Sequence, residues 1–117
     1  MNHPSLNAPR TLSVLPTFVR TTLLTTRSYL VGRGAEWFID PMRDDVPRDF
    51  DIIVDPHHFH DACKPLTGVA VSINSFGGLK IIGPPAIDVI PMDLGEYVKT
   101  CTGNIAVSLM PFRVVRW

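Results

Sequence analysis

The chain has little cysteine: Cys63 and Cys101 are the only two in 117 residues, and they form no CxxC pair. That argues against a disulfide framework and against a structural zinc ribbon, and it leaves two free thiols expected to behave as small core residues. Excess charge is also missing, since 11 basic and 11 acidic residues give a formal net charge of zero, without long Lys/Arg runs. Charge therefore lends no support to nucleic-acid binding through the backbone alone, although it does not exclude it. No apolar run approaches the roughly 18 residues of a membrane span. The polar, proline-bearing start MNHPSLNAPR does not read as a secretory signal. A cytoplasmic protein without a membrane partner is expected.

What is present is ordinary for a globular chain: 45% apolar and 19% charged residues argue against disorder. The length suits one modest core, so a single domain over residues 1–117 is expected, with 1–10 as a loose leader. Eleven prolines are many. Most stand at segment ends (Pro41, Pro47, Pro56, Pro65, Pro84, Pro85, Pro91) and punctuate short elements. This pattern predicts an α+β fold, a small mixed β-sheet with helices packed on one face.

Apolar residues Leu12, Leu15, Val19, Leu23 and Leu24 recur at three- and four-residue steps, which predicts a helix over 11–28. A short strand over 29–31 runs into Gly32-Arg33-Gly34-Ala35, where 35–38 is either a helix turn or more strand. After the polar loop 40–47, alternation in 48–54 sets Asp49, Asp51 and Ile53 on one face and Phe50, Ile52 and Val54 on the other. Asp55-Pro56 then suits a helix start, with the helix over 57–66. Strands are expected over 69–76 and 79–82 about a two-residue Gly77-Gly78 turn, and a third over 86–90. Residues 94–100 suit a helical turn or two, and 104–117 an extended segment packed on the core.

In Ile87-Asp88-Val89 the apolar residues point one way and Asp88 the other, the same logic as in the Asp49 strand. If the two strands are neighbours, three carboxylates converge on one surface. Three such groups repel one another and need a compensating cation. Hard oxygen ligands favour Mg²⁺, whose shell substrate phosphates can complete, and two ions can clamp an attacking hydroxyl and a leaving pyrophosphate.

The ordered trio of a glycine turn after a strand, the R-D-F-D-I-I-V strand and a later I-D-V-I strand, with F-G-G-L-K between them, resembles the polymerase-β-like nucleotidyltransferases. The likeness is to the short bacterial and phage members and covers about residues 30–92. It implies a nucleotidyltransferase (palm-like) core in which Asp49 and Asp51 bind both Mg²⁺ ions (Mn²⁺ being an alternative) and Asp88 the ion that activates the acceptor hydroxyl. The backbone at Gly32 and Gly34, assisted by Arg33, would hold the triphosphate. The implied reaction transfers NMP from a nucleoside triphosphate to a hydroxyl and releases pyrophosphate; a nucleic acid end, a protein hydroxyl and a small molecule stand open as acceptors. The chain departs from the family pattern in two places. An arginine interrupts the glycines, and DPMRDDVP lengthens the spacing to Asp49. At this length a partner protein or a homo-oligomer would supply what a second helical domain supplies in relatives.

Each signal has a plainer reading. A lone Asp-x-Asp is common on half-polar strands, Gly32 and Gly34 suit any strand end, and Gly77 and Gly78 suit a hairpin. His57, His58 and His60 lack a matching Cys/His pair for zinc and read as surface residues. Asp40, Asp44, Asp45 and Asp55 read as loop and cap residues, Asp93 and Glu96 as a solvated turn. Phe76 and Tyr97 are candidates to stack on a base, with core packing the plainer reading for Phe76, and Trp37 and Trp117 read as core or lid. The rival to the enzyme is a non-catalytic nucleotide- or protein-binding module on the same fold, antitoxin- or inhibitor-like. Metal-dependent nuclease or phosphatase chemistry comes last, because no Lys or His stands beside the acids in sequence.

Overall fold

The computed structural model describes residues 9–100 and 104–117. Cys101 and the leader 1–8 lie outside them. The order of elements is α1 (Thr17–Thr25), β1 (Ser28–Val31), α2 (Gly32–Ile39), β2 (Asp49–Val54), α3 (Pro56–Cys63), β3 (Val71–Ile73), β4 (Leu79–Ile81), β5 (Ala86–Pro91), α4 (Leu94–Thr100), β6 (Ile105–Leu109) and β7 (Phe112–Arg116). Among the described residues no helix is long and apolar enough to cross a membrane.

The strands form one mixed seven-stranded sheet in the order β3-β4-β5-β2-β1-β6-β7. Every neighbouring pair is antiparallel except β2 and β5, which run parallel. A parallel pair needs a long crossover, supplied here by α3 and the β3–β4 hairpin.

The helix expected over 11–28 is shorter because of Pro16. The residue before a proline is pushed out of the helical region, and Leu15 is extended at ψ 144. Leu12–Val14 makes only a 3-10 turn, and α1 begins after Pro16. Thr25 and Thr26 hydroxyls donate to the carbonyls of Thr21 and Thr22 at 2.7 Å, which accommodates the threonines that propensity counts against. The stretch after Gly32 is helix, not strand. Arg10 is anchored: its backbone N–H donates to Phe38 O at 2.8 Å, its Nε to Trp37 O at 2.8 Å, and its guanidinium lies 4.4 Å from the Trp37 ring centroid.

One sheet face carries Leu30, Phe50, Ile52, Ile87, Val89, Ile105 and Val107, buried under Leu15, Val19, Leu23, Ala35, Phe38 and Ala62 of the N-terminal segment and α1–α3. The expectation of helices on one face holds for these three only. Leu94 and the buried Tyr97 of α4 pack on the other face, against Val31, Ile53, Ile90 and Ala106. The physical reason is that Ile53 and Ile90, on the carboxylate face, are apolar and demand cover.

The β3–β4 turn is longer than two residues. Ile73 pairs with Leu79, and Asn74 organises the intervening loop, its Oδ1 accepting from Phe76 N at 3.1 Å and Gly78 N at 2.8 Å. Phe76, expected in the core, is half exposed at the tip. Gly77 supplies the left-handed φ of 79°, while Gly78 permits close approach: a Cβ there would lie 1.9 Å from Val89 O. Gly78→Ala is therefore expected to cost more than about 2 kcal/mol of stability by prying β4 from β5. At Gly68 a Cβ meets nothing within 4 Å, so Gly68→Ala should cost only about 1 kcal/mol from its positive φ. Urea unfolding of the two variants checks the order, and equal costs would contradict it.

Candidate active site

The parallel register sets Asp49 opposite Ala86, Asp51 opposite Asp88, and Ile53 opposite Ile90. Side chains at paired positions share a face, so Asp51 and Asp88 stand side by side, with Asp49 one pleat away. Asp49 is exposed at the strand start; Asp51 and Asp88 are partly buried. The three acids thus occupy the open half of the face whose other half α4 covers.

β1 delivers the helix start to the same place. Val31 pairs with Asp51, and the chain turns at Gly32 with φ 67° into α2. A Cβ on Gly32 would lie 3.9 Å from Asp51 Oδ2, so the glycine borders the carboxylates. No side chain caps α2, which leaves its first N–H groups available to an anion. Gly34 faces the other way. A Cβ there would come within 2.9 Å of Phe50 Cδ1, so its missing side chain serves core packing. Arg33 lines a cavity of about 420 Å³ together with Asp45, Arg48, Asp49 and Asp51. A larger cavity of about 550 Å³ lies on the opposite face, between α1 and the segment after α3, lined by Phe18, Leu66, Val69, Ile81 and Ile87. It is mainly apolar and carries none of the three acids.

Electrostatics single out Asp51. Burial first, then the charges of Asp88 and Asp49 and a hydrogen bond with Asp88, raise its carboxyl to about 6, with Lys80 pulling weakly the other way. Asp88 is held by the hairpin. Asn74 Nδ2 donates to its Oδ1 at 3.2 Å, and Lys80 Nζ lies 3.6 Å from its Oδ2. Neither residue was singled out from sequence. Reflecting the hairpin about Pro84 sets Lys80 opposite Asp88, as observed, so the turn Gly83-Pro84-Pro85 was the signal. For Asn74 there was none, because its reach depends on the loop conformation.

The remaining candidates resolve simply. Asp55 caps α3, its Oδ1 accepting from His57 N at 2.9 Å. Asp93 Oδ1 accepts from Glu96 N at 2.7 Å at the start of α4. Asp45, read as a loop residue, lines the cavity beside the acids. His58 Nδ1 accepts from Arg27 N at 3.2 Å. Trp37 is buried edge-on to Phe50, with ring centroids 6.0 Å apart; Tyr97 meets the half-exposed Trp117 likewise. Burial raises the Cys63 thiol, which is free.

As they stand, no three His, Cys, Asp or Glu side chains among the described residues are gathered closely enough to hold a metal ion. The hard oxygens of Asp51 and Asp88 are adjacent, and Asp49, being exposed, is free to change rotamer toward them. No protein-family model matches the chain, and neither the curated proteins nor the solved structures contain a match.

A pH dependence follows from Asp51. Its carboxyl binds a proton more tightly folded than unfolded, from 3.8 to about 6. The stability this contributes is present below about pH 4 and lost as pH rises through 6. With partial solvent screening the loss is about 1–2 kcal/mol. Asp51→Asn should flatten this slope in urea unfolding from pH 4 to 7 in chelated buffer; an unchanged slope would contradict the assignment.

Proposed function

We propose that this chain is a minimal nucleotidyltransferase domain that passes NMP from a nucleoside triphosphate to a hydroxyl acceptor. The observation that carries the reading is the pairing of Asp51 with Asp88 across parallel strands, beside the uncapped start of α2 at Gly32. The chemistry of the donors fits a divalent cation. All are hard carboxylate oxygens, and Asp51 is raised by burial first and by the charges of Asp88 and Asp49 second, both of which a bound cation would offset. Asp49, Asp51 and Asp88 are the residues that would hold Mg²⁺ or Mn²⁺. A bound ion would neutralise developing charge and lower the pKa of the attacking hydroxyl.

The chain's own part is positioning. The free N–H groups of α2 and the guanidinium of Arg33 suit the triphosphate at the cavity, while Asp88, farther from Gly32 across the sheet, faces the acceptor side. In the reaction the acceptor oxygen bonds to the α-phosphorus as the bond from that phosphorus to the α,β-bridging oxygen breaks. Pyrophosphate leaves with the electron pair, and the hydroxyl proton passes to solvent.

One observation favours a second reading, a non-catalytic nucleotide-binding module: both oxygens of Asp88 already have partners, Asn74 and Lys80. The two readings separate in one assay. The protein is incubated with Mg²⁺ or Mn²⁺ and labelled NTPs, with oligonucleotides, small alcohols and the protein itself as acceptors. The enzyme reading expects pyrophosphate release and label transfer, reduced at least about 100-fold in Asp49→Ala/Asp51→Ala and in Asp88→Ala. Nucleotide binding without turnover supports the module, and no nucleotide binding with either ion overturns both.

A further inference from the structure

Lys80 is the one cation that the ion pairs of the described residues set against the three acids, and no role for it was expected. Its Nζ lies 3.6 Å from Asp88 Oδ2, its side chain is 41% exposed, and that of Asp88 is 16% exposed. The pair is therefore neither a solvated surface contact nor a sealed interior one. The other Asp88 oxygen is fixed by Asn74, whose Nδ2 also donates to Leu79 O at 3.1 Å and Val89 O at 3.3 Å. Asn74 thus ties the hairpin, β5 and Asp88 into one unit, which leaves Asp88 little freedom to turn away from Lys80. Lys80 itself comes from β4, directly opposite Asp88 in the ladder, and its four-carbon stem can withdraw into solvent without moving the backbone.

We propose that Lys80 is a built-in counter-cation: it neutralises Asp88 while the site holds no divalent ion, competes with that ion for the same carboxylate oxygen, and must swing out for the ion to bind. This inference rests on the divalent-cation reading of Asp49, Asp51 and Asp88. A divalent ion bonded to that carboxylate oxygen would stand within a few ångströms of the ammonium, and their mutual repulsion is large in a partly buried setting. Removing the ammonium therefore removes that repulsion and leaves the carboxylate charge to the ion alone, and both effects tighten binding of the bare ion. A lysine that only braced the sheet would give the opposite result, since its loss would loosen Asp88 and weaken binding.

The test is Mn²⁺ binding by electron paramagnetic resonance, with no nucleotide present, on wild type, Lys80→Met, Lys80→Arg, Asp88→Asn and the double variant Lys80→Met/Asp88→Asn. Circular dichroism and urea unfolding accompany each. Methionine keeps the apolar stem at a half-exposed position, so the fold should survive. Lys80→Met is expected to bind Mn²⁺ about tenfold or more tightly than wild type, and Lys80→Arg, which keeps the charge, no more tightly than wild type. The gain should vanish when Asp88 is already Asn, because the competition acts through that carboxylate. Mn²⁺ bound by Lys80→Met but not measurably by wild type also supports the proposal. Equal or weaker binding in a folded Lys80→Met, with wild type binding, overturns the counter-cation role and leaves the metal site standing. Absence of Mn²⁺ binding in every variant overturns both.

Discussion

The parallel pairing of β2 with β5 governs the rest of the molecule, and hydrophobic burial fixes it. Phe50 and Ile52 lie opposite Ile87 and Val89 and, with Val54, pack beneath α1–α3, so these residues enter the core together only in the observed register. A slip of one residue along either strand would drive carboxylates into that core and turn the apolar set to solvent. The position of Asp51 beside Asp88 is thus a by-product of packing on the reverse side of the same strands. The acids repel one another, yet the core holds them together.

The opposite face is divided along its length, and that division leaves the acids accessible. Toward the strand ends, Ile53 and Ile90 are buried with Tyr97 of α4. Toward the strand starts, Asp49, Asp51 and Asp88 remain reachable by solvent. Half-burial of this kind is what raises Asp51 to about 6 while sparing it the cost of full enclosure. The turn at Gly32 adds unpaired N–H groups to one flank, and the β3–β4 hairpin adds Asn74 and Lys80 to the other. Electropositive features therefore bracket the acids from both sides, and the arrangement suits an anionic substrate carried with a cation.

Much of this was legible in the residues. Alternation in D-F-D-I-I-V and I-D-V-I gave both strands, their faces and the outward acids, because period-two patterning is a direct consequence of the pleat. Asp55-Pro56 marked the start of α3 through the chemistry of caps. Less could be read where long-range geometry decides. Nothing local says that α4 crosses to the carboxylate face, since that depends on which half of the face is apolar. Gly34 resembled a phosphate-binding glycine in the linear motif but answers to Phe50 across the core. Arg10 lay in what reads as a leader, yet its partners Trp37 and Phe38 are distant in sequence. Asn74 fell inside the strand expected over 69–76, and its contact with Asp88 exists only once the hairpin folds against β5.

The proposed chemistry requires that one divalent ion bind to Asp51 and Asp88 at once. Anomalous diffraction from crystals grown with Mn²⁺ and a non-hydrolysable nucleoside triphosphate addresses this directly. The expected result is a manganese peak bonded to an oxygen of each carboxylate, with the triphosphate reaching it from the Gly32 side and Lys80 displaced from Asp88. Manganese found elsewhere, or none with the Lys80–Asp88 pair intact, would contradict it.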